Sequence, residues 1–469
     1  MFKVNIGTKS LSAFEGENLR KLLIENGFYI NSICGGNGTC GKCIVKVNGK
    51  DVKSCSYVIN SDISVTLPPK EEFSFNPQLS ETINDINNND GAVLCLDIGT
   101  TTLALAEASS KDGKILKVIT KTNPQRAFGA DVISRIDYCR KNSVTALKDV
   151  LIKEINEMIK EIKTEKALPL FVSGNTCMLH FFFGEDASSL GVYPYTPVFL
   201  DEKEVSGEAL GLKNVTEVKS LPCISAFVGA DLTAGLVSVG KPKDTKYNVL
   251  IDLGTNAEIL IFSKNSLYCT SAAAGPCFEG GNISCGMSAC EGAIYSFSID
   301  ESGKKTYKTI GNTSPKGICG TALFDIIAEL LKEGTIDETG YMPEEAFEIA
   351  EDIILTQKDV RQFQLAKSAV YSAFVTLMKQ QSISFNDIEN IFISGGFSQE
   401  LNINNAIITG TLPQEAKEKI KLLGNTALSG TIKYASAQDN PLKNFESVNY
   451  IDLSADTDFS ENFINNMDF

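Results

Sequence analysis

The sequence predicts a multidomain chain that combines α+β and α/β architecture: a small N-terminal unit, a polar linker and a large duplicated α/β domain. Two near-copies, Leu94–Ala108 (LCLDIGTTTLALAEA) and Leu250–Ser263 (LIDLGTNAEILIFS), predict the duplication. A cysteine-rich glycine loop near the N-terminus predicts the small unit, and a polar stretch at 68–90 separates the two. Each near-copy reads apolar strand, Asp, apolar residue, Gly-Thr, apolar strand. Their aspartates, Asp97 and Asp252, stand 155 residues apart, too far for a solenoid period. The spacing suggests one domain repeated, with a nucleotide held between its halves.

Residues 1–70 form the first unit. Phe2–Ile6 reads as a strand, Asn18–Asn26 as a short helix closed by Gly27, and Cys43–Val47 and Ile63–Leu67 as alternating strands, an order that fits a β-grasp fold. Residues 71–91 are the linker by composition, within PPKEEFSFNPQLSETINDINNND at 68–90. The duplicated domain divides into 92–245 and 246–469. Its first half carries the first hairpin, an amphipathic helix near Ala146–Lys163, a strand at Leu170–Ser173 entering GNTCMLHFFFG, and a strand-turn-helix over Ile224–Val239. The second half carries the repeated hairpin, a glycine-dense loop at 272–292, and helices at Thr321–Lys332 and Gln357–Gln380. The last of these keeps a core-facing apolar stripe from Val360 to Leu377. A strand then runs into a double glycine at Ile391–Phe397 (IFISGGF), which permits close approach by a flat ligand such as a base or ribose.

The hairpins carry recognisable chemistry. A strand ending in Asp places a carboxylate at a sheet edge, where it can organise a hydrated Mg²⁺. The Gly-Thr that follows offers backbone N–H groups and a hydroxyl to phosphate oxygens. Candidate residues are therefore Asp97 and Asp252 for Mg²⁺, and Gly99, Thr100, Gly254 and Thr255 for phosphates.

Cys34, Cys40, Cys43 and Cys55 match the spacing of a plant-type ferredoxin loop, with one extra residue in the first gap. Such a loop holds a [2Fe–2S] cluster on four thiolates. A structural zinc site also uses two-residue spacings, but zinc ribbons pair two separate Cys-x-x-Cys knuckles rather than a triplet on one loop. Gly36–Lys42 imitates a phosphate loop, yet Cys43 stands where Ser or Thr would meet Mg²⁺, so that reading fails. Cys277, Cys285 and Cys290 lie close in sequence among small residues, and read as apolar packing rather than a second metal site.

The bulk numbers narrow the function class. Net charge is −15, from 43 basic and 58 acidic residues, which argues against a broad basic face for nucleic acid. No apolar run approaches a membrane span, and MFKVNIGTKSL lacks the layout of a signal peptide. Thirteen cysteines without such a signal point to a reducing cytoplasm.

Together, the two hairpins and the late Gly-Gly turn resemble the acetate and sugar kinase, heat-shock ATPase and actin superfamily, in which hairpins bind phosphates and the late turn lies against adenosine. A closer resemblance spans nearly the whole chain. The cysteine loop with GNTCMLHFFFG, FVGADLTAG, DLGTNAEI, SAAAGPCFEGGNI, TQKDVRQFQLAKSAV, ISGGFS and the tail YIDLSADTDFSENF resembles the reductive activators of corrinoid proteins. That resemblance implies ATP-dependent one-electron reduction of a corrinoid partner from Co(II) to Co(I), with an upstream electron donor and self-pairing as further expectations. It implies the four cysteines as cluster ligands, Asp97 and Asp252 organising water as well as Mg²⁺, Thr101 and Asn256 lining the phosphates with the two Gly-Thr turns, Gly395 and Gly396 beside the adenosine, and Asp231 as the residue polarising the attacking water. The short linker departs from longer family members, which carry an extra middle domain.

Bland readings stand beside these roles. Asp231 also suits a helix N-cap. His180, the sole histidine, suits a buried structural role better than a catalytic one. Asn175 and Thr176 could face the cleft or simply cap the next helix. Two other functions also fit the motifs: a small-molecule kinase with a redox-sensing iron–sulfur unit, and an electron-transfer module on an inactive ATPase-like scaffold.

Overall fold

The computed structural model describes residues 1–28, 30, 35, 36, 38, 41, 43–68, 91–164, 166–243, 245–396, 398–445 and 447–469. Cys34, Cys40 and nearly all of the predicted linker lie outside the described residues. The N-terminal unit is a five-stranded sheet in the order Lys9–Ala13, Phe2–Ile6, Ile63–Thr66, Ile44–Val47, Lys50–Lys53. Its strands alternate buried and exposed residues, so one face closes over Leu19, Leu22 and Leu23 of the helix Leu19–Glu25. Asn18 caps that helix by accepting from the Lys21 N–H.

The duplication is real at the level of topology. In the first half, strands run in the order Ile115–Thr122, Thr102–Ser109, Ala92–Ile98, Leu168–Gly174, Val215–Ser220. The second half repeats it with Leu267–Ala272, Ala257–Phe262, Tyr247–Leu253, Ile388–Ser394, Ile420–Gly424. In both, three antiparallel strands give way to a parallel pair, and each half adds one short edge strand. Registers match as well: Ser173 pairs with Asp97, and Ser394 with Asp252. The central strands are continuous apolar runs because helices cover both of their faces.

Two helices cross between the halves. Ala230–Val239 ends the first half, yet its Leu232 and Leu236 pack with Leu250 and Leu260 of the second sheet. Thr426–Ser436 lies late in the chain, yet Leu428 and Ile432 cover Val93, Cys95 and Ala106 of the first sheet. The two helices also pack on one another, where Gly235 and Gly430 allow close approach. A cut at 245 therefore divides the sequence but not the packing.

One predicted strand is absent. Ile224–Val228 forms a tight turn in which the Ile224 and Ser225 N–H groups both donate to the Val228 carbonyl. The strand that fills this place is Val215–Ser220, whose polar residues VTEVKS hide it from a hydropathy reading. The helix after the turn starts at Ala230, one residue past its Gly229 cap.

The small unit sits against the first half. The Arg20 guanidinium donates to the Ala127 carbonyl, on the short 3₁₀ turn Pro124–Ala127. Gly36 has φ of +100°, and a Cβ there would lie 2.6 Å from an Arg20 nitrogen. Only glycine meets both demands.

Candidate functional site: a nucleotide cleft beside a cysteine loop

The strand registers bring the ends of both hairpins and the late glycine turn to one cleft between the halves. It encloses about 1310 Å³ of empty space, counting the part open to solvent. Asp97, Gly99, Thr100, Thr101, Asp231, Asp252, Gly254, Thr255, Asn256, Gly395 and Gly396 all line it. The structure thus gathers every sequence-predicted nucleotide residue into a single site. Gly395, at φ +114°, turns the chain where a side chain would strike the Leu253 backbone.

Each aspartate is steadied by a partner from elsewhere in the chain. Asn425 Nδ2 donates to Asp97 Oδ2 at 2.8 Å, and Ser394 Oγ donates to Asp252 Oδ2 at 2.8 Å. Burial pushes the Asp97 carboxyl up to about 7; the Asn425 amide opposes the shift and the Asp252 charge adds to it. Asp231 is likewise held at about 7, by burial and then by the charges of Asp252 and Asp97. Asp252 lies at about 6, raised by burial and by Glu279, and lowered by Ser394. Buried Glu258, directly across the hairpin from Asp252, is pushed well above the usual range by burial and then by Asp231 and Asp252. So much negative charge in one cleft favours a cation. Among the described residues, no three His, Cys, Asp or Glu side chains converge on one point that could hold a metal. A Mg²⁺ here would draw on phosphate oxygens and water to complete its shell, as Mg²⁺ commonly does.

Asp231 is not the helix cap. Gly229 takes that position, and Asp231 accepts from the Leu232 N–H while facing the cleft. Asn175 fills both of its readings: it caps the helix Thr176–Phe183 through the Met178 N–H, and its amide donates to Thr100 Oγ1 at 3.1 Å. His180 is structural. Its Nδ1–H donates to the Thr176 carbonyl, Nε2 accepts from the Val198 N–H, and the ring stacks on Phe199. Burial lowers its pKa, which keeps it neutral. Cys277 and Cys290 are buried, and Cys285 accepts from the Ile354 N–H.

Sequence reasoning missed Glu279, Glu258, Asn425 and Ser394. Two further repeats carry the signal for the last pair. Phe171-Val172-Ser173-Gly174 recurs as Phe392-Ile393-Ser394-Gly395, and Gly174-Asn175-Thr176 recurs as Gly424-Asn425-Thr426. Both asparagines cap a helix and reach back to the first hairpin.

The N-terminal unit and the cleft meet at one segment, 123–129. Arg135 is fully buried; its Nε donates to the Gly129 carbonyl at 2.9 Å and its Nη2 to the Thr100 carbonyl. Asn123 Nδ2 donates to the Gly99 carbonyl at 2.8 Å. The 123–129 segment is therefore tied to the first hairpin on one side and to Arg20 on the other. Of the cluster candidates, Cys43 and Cys55 are described and adjacent. Burial raises the Cys43 thiol, but hydrogen bonds from the Cys55 backbone and side chain and from Ser54 outweigh it and hold it below its ordinary value. A thiol held toward its thiolate form at Cys43, with Cys55 beside it and positive-φ glycines in the same loop, fits an iron–sulfur cluster.

Two copies of one sheet plan closing on paired phosphate hairpins, with an appended cysteine loop, define an ATPase of the actin and sugar kinase class joined to an iron–sulfur domain. Family models agree: a 2Fe-2S iron-sulfur cluster binding domain matches residues 2–65, the RACo middle region 92–243, and the C-terminal ASKHA domain of RACo 246–469. The region that the family calls middle is thus the first half of the duplicated domain. The corrinoid activation enzyme RamQ of Eubacterium limosum is 32% identical over 419 residues, covering 80% of this chain and 70% of that protein. A reductase of the methylated amine-specific corrinoid protein of Methanosarcina barkeri is 26% identical over 381 residues, covering 72% and 68%. A solved reductive activator for a corrinoid, iron-sulfur protein superposes with TM-score 0.74 at 26% identity, over 100% of this chain and 98% of that one. The chain belongs to the family of reductive activators of corrinoid proteins.

Proposed function

We propose that this chain uses ATP to drive one electron from a [2Fe–2S] cluster onto the Co(II) of a corrinoid protein, giving Co(I). Cys34, Cys40, Cys43 and Cys55 would hold the cluster, which when bound supplies an electron at about −400 mV. The corrinoid couple generally lies lower. A deficit of about 100 mV disfavours the product roughly fiftyfold, or about 2.3 kcal/mol. That falls within the coupling two binding sites can supply, about 1–3 kcal/mol.

ATP therefore acts through protein conformation, and the chain's own residues do the coupling. Asp97 and Asp252 organise Mg²⁺ and water, the two Gly-Thr turns bind phosphates, Gly395 and Gly396 lie beside adenosine, and Asp231 polarises the attacking water. An upstream one-electron donor reloads the cluster, and a second copy of the chain is a dimer partner in this reading. No described helix is long and apolar enough to cross a membrane.

The observation that carries the proposal is the shared segment 123–129, fastened to Gly99 by Asn123 and to Thr100 through Arg135 at the phosphate hairpin, and to Arg20 on the helix of the N-terminal unit. The test is anaerobic. ATP hydrolysis should accelerate when the cognate Co(II) protein is added, and Co(I) absorption bands should develop only with ATP present. No stimulation, with cluster and nucleotide both loaded, would overturn it. Hydrolysis that answers a small-molecule acceptor instead would favour a kinase.

A further inference from the structure

We propose that Glu279 competes with the terminal phosphate of ATP for the hydroxyls of Thr101 and Thr255, and so sets how tightly the cleft holds a nucleoside triphosphate. The inference rests on the reading of this cleft as an ATP site. Glu279 ends the turn Pro276–Glu279, which is anchored by buried Phe278 packed against Phe324 and Phe363. One carboxylate oxygen, Oε2, accepts from Thr101 Oγ1 at 2.6 Å and from Thr255 Oγ1 at 3.1 Å. Thr101 belongs to the first hairpin and Thr255 to the second, so a single oxygen joins the two halves across the cleft. The other oxygen lies over Gly254, where an added Cβ would stand 3.6 Å away.

A threonine hydroxyl has one proton to donate. While Thr101 and Thr255 give theirs to Glu279, neither can give it to a phosphate oxygen. Both acceptors are anionic, so a phosphate entering between the hairpins also meets the charge of Glu279 directly. A bound triphosphate must take both protons and displace the carboxylate. The diphosphate lacks the group that reaches the far hairpin and escapes most of this competition. Glu279 thereby holds the hairpins together without nucleotide, and makes triphosphate entry dependent on whatever draws its carboxylate off Thr101 and Thr255.

The test uses the full-length, cluster-loaded protein with Mg²⁺, titrated calorimetrically with a non-hydrolysable ATP analogue and separately with ADP. Glu279→Gln keeps the shape and removes the charge. It should tighten the analogue about tenfold, equivalent to about 1.4 kcal/mol, and leave ADP within about twofold. Glu279→Ala should show the same selective gain, and the visible spectrum of the cluster checks that each variant is folded. An equal change for both nucleotides, no change, or weaker analogue binding overturns the proposal. So does unchanged binding with hydrolysis lost, which would assign Glu279 to the attacking water. If the wild-type protein binds neither nucleotide, the ATP reading itself falls. If it binds both and neither variant gains selectively, only this inference falls.

Discussion

Asp97, Asp231 and Asp252 face each other across a cleft that holds all three carboxyls at or above about 6. An unfolded Asp titrates at about 3.9, so the folded state binds more protons between the two values. The sign follows directly. Stability contributed by these groups is greatest below about pH 4, declines as pH rises toward about 7, and is flat above. A cation neutralising the ionised carboxylates offsets the loss only where they are ionised. Chelator-treated protein should therefore melt at a lower temperature at pH 8 than at pH 5.5, and added Mg²⁺ should raise the Tm more at pH 8. Scanning calorimetry at the two values checks this, and a Mg²⁺ increment independent of pH would contradict it. At this scale the sequence was legible for residues inside a repeated motif, since Asp97 and Asp252 announce one another. Glu279 was not legible: a Glu before Gly-Gly in a glycine-dense loop has no twin, and only the fold brings it to Thr101 and Thr255.

Among the elements, the segment 123–129 does more than connect a strand to a helix. Asn123 caps its 3₁₀ turn by accepting from the Gln125 N–H, and uses its amide on Gly99. Arg135 clasps it from the hairpin side and Arg20 from the cysteine-loop side. Gly36 leaves room for the Arg20 guanidinium. Gly36→Ala should therefore act twice, through backbone strain of about 1–3 kcal/mol at positive φ and through displacement of Arg20. Iron content should fall, and hydrogen exchange at 123–129 should quicken. Normal iron loading with unchanged exchange would show that the two sides are uncoupled. Strands and helices with strong period were readable to within a few residues, as with Gln357–Gln380. Val215–Ser220 was not, because a strand one place in from the sheet edge, with exposed Thr216 and Glu217, carries too little hydropathy contrast.

For the whole molecule, the repeated sheet order shows why sequence sufficed for architecture: each half must bury a mostly apolar central strand on both faces, and the same order solves that problem twice. The exchange of helices between the halves left no mark in periodicity, because an amphipathic stripe does not say which sheet it will cover. That exchange constrains how the protein can be made. Leu428 and Ile432 are the lid on Val93, Cys95 and Ala106, and they leave the ribosome more than three hundred residues after those strands do. Until then the first sheet waits with one side uncovered, an invitation to chaperones and to clumping. A fragment ending at residue 245 should accumulate as insoluble material, and co-expression with residues 246–469 should bring it back into solution. A soluble, cooperatively melting fragment on its own would mean that the late helix is dispensable to the sheet it covers.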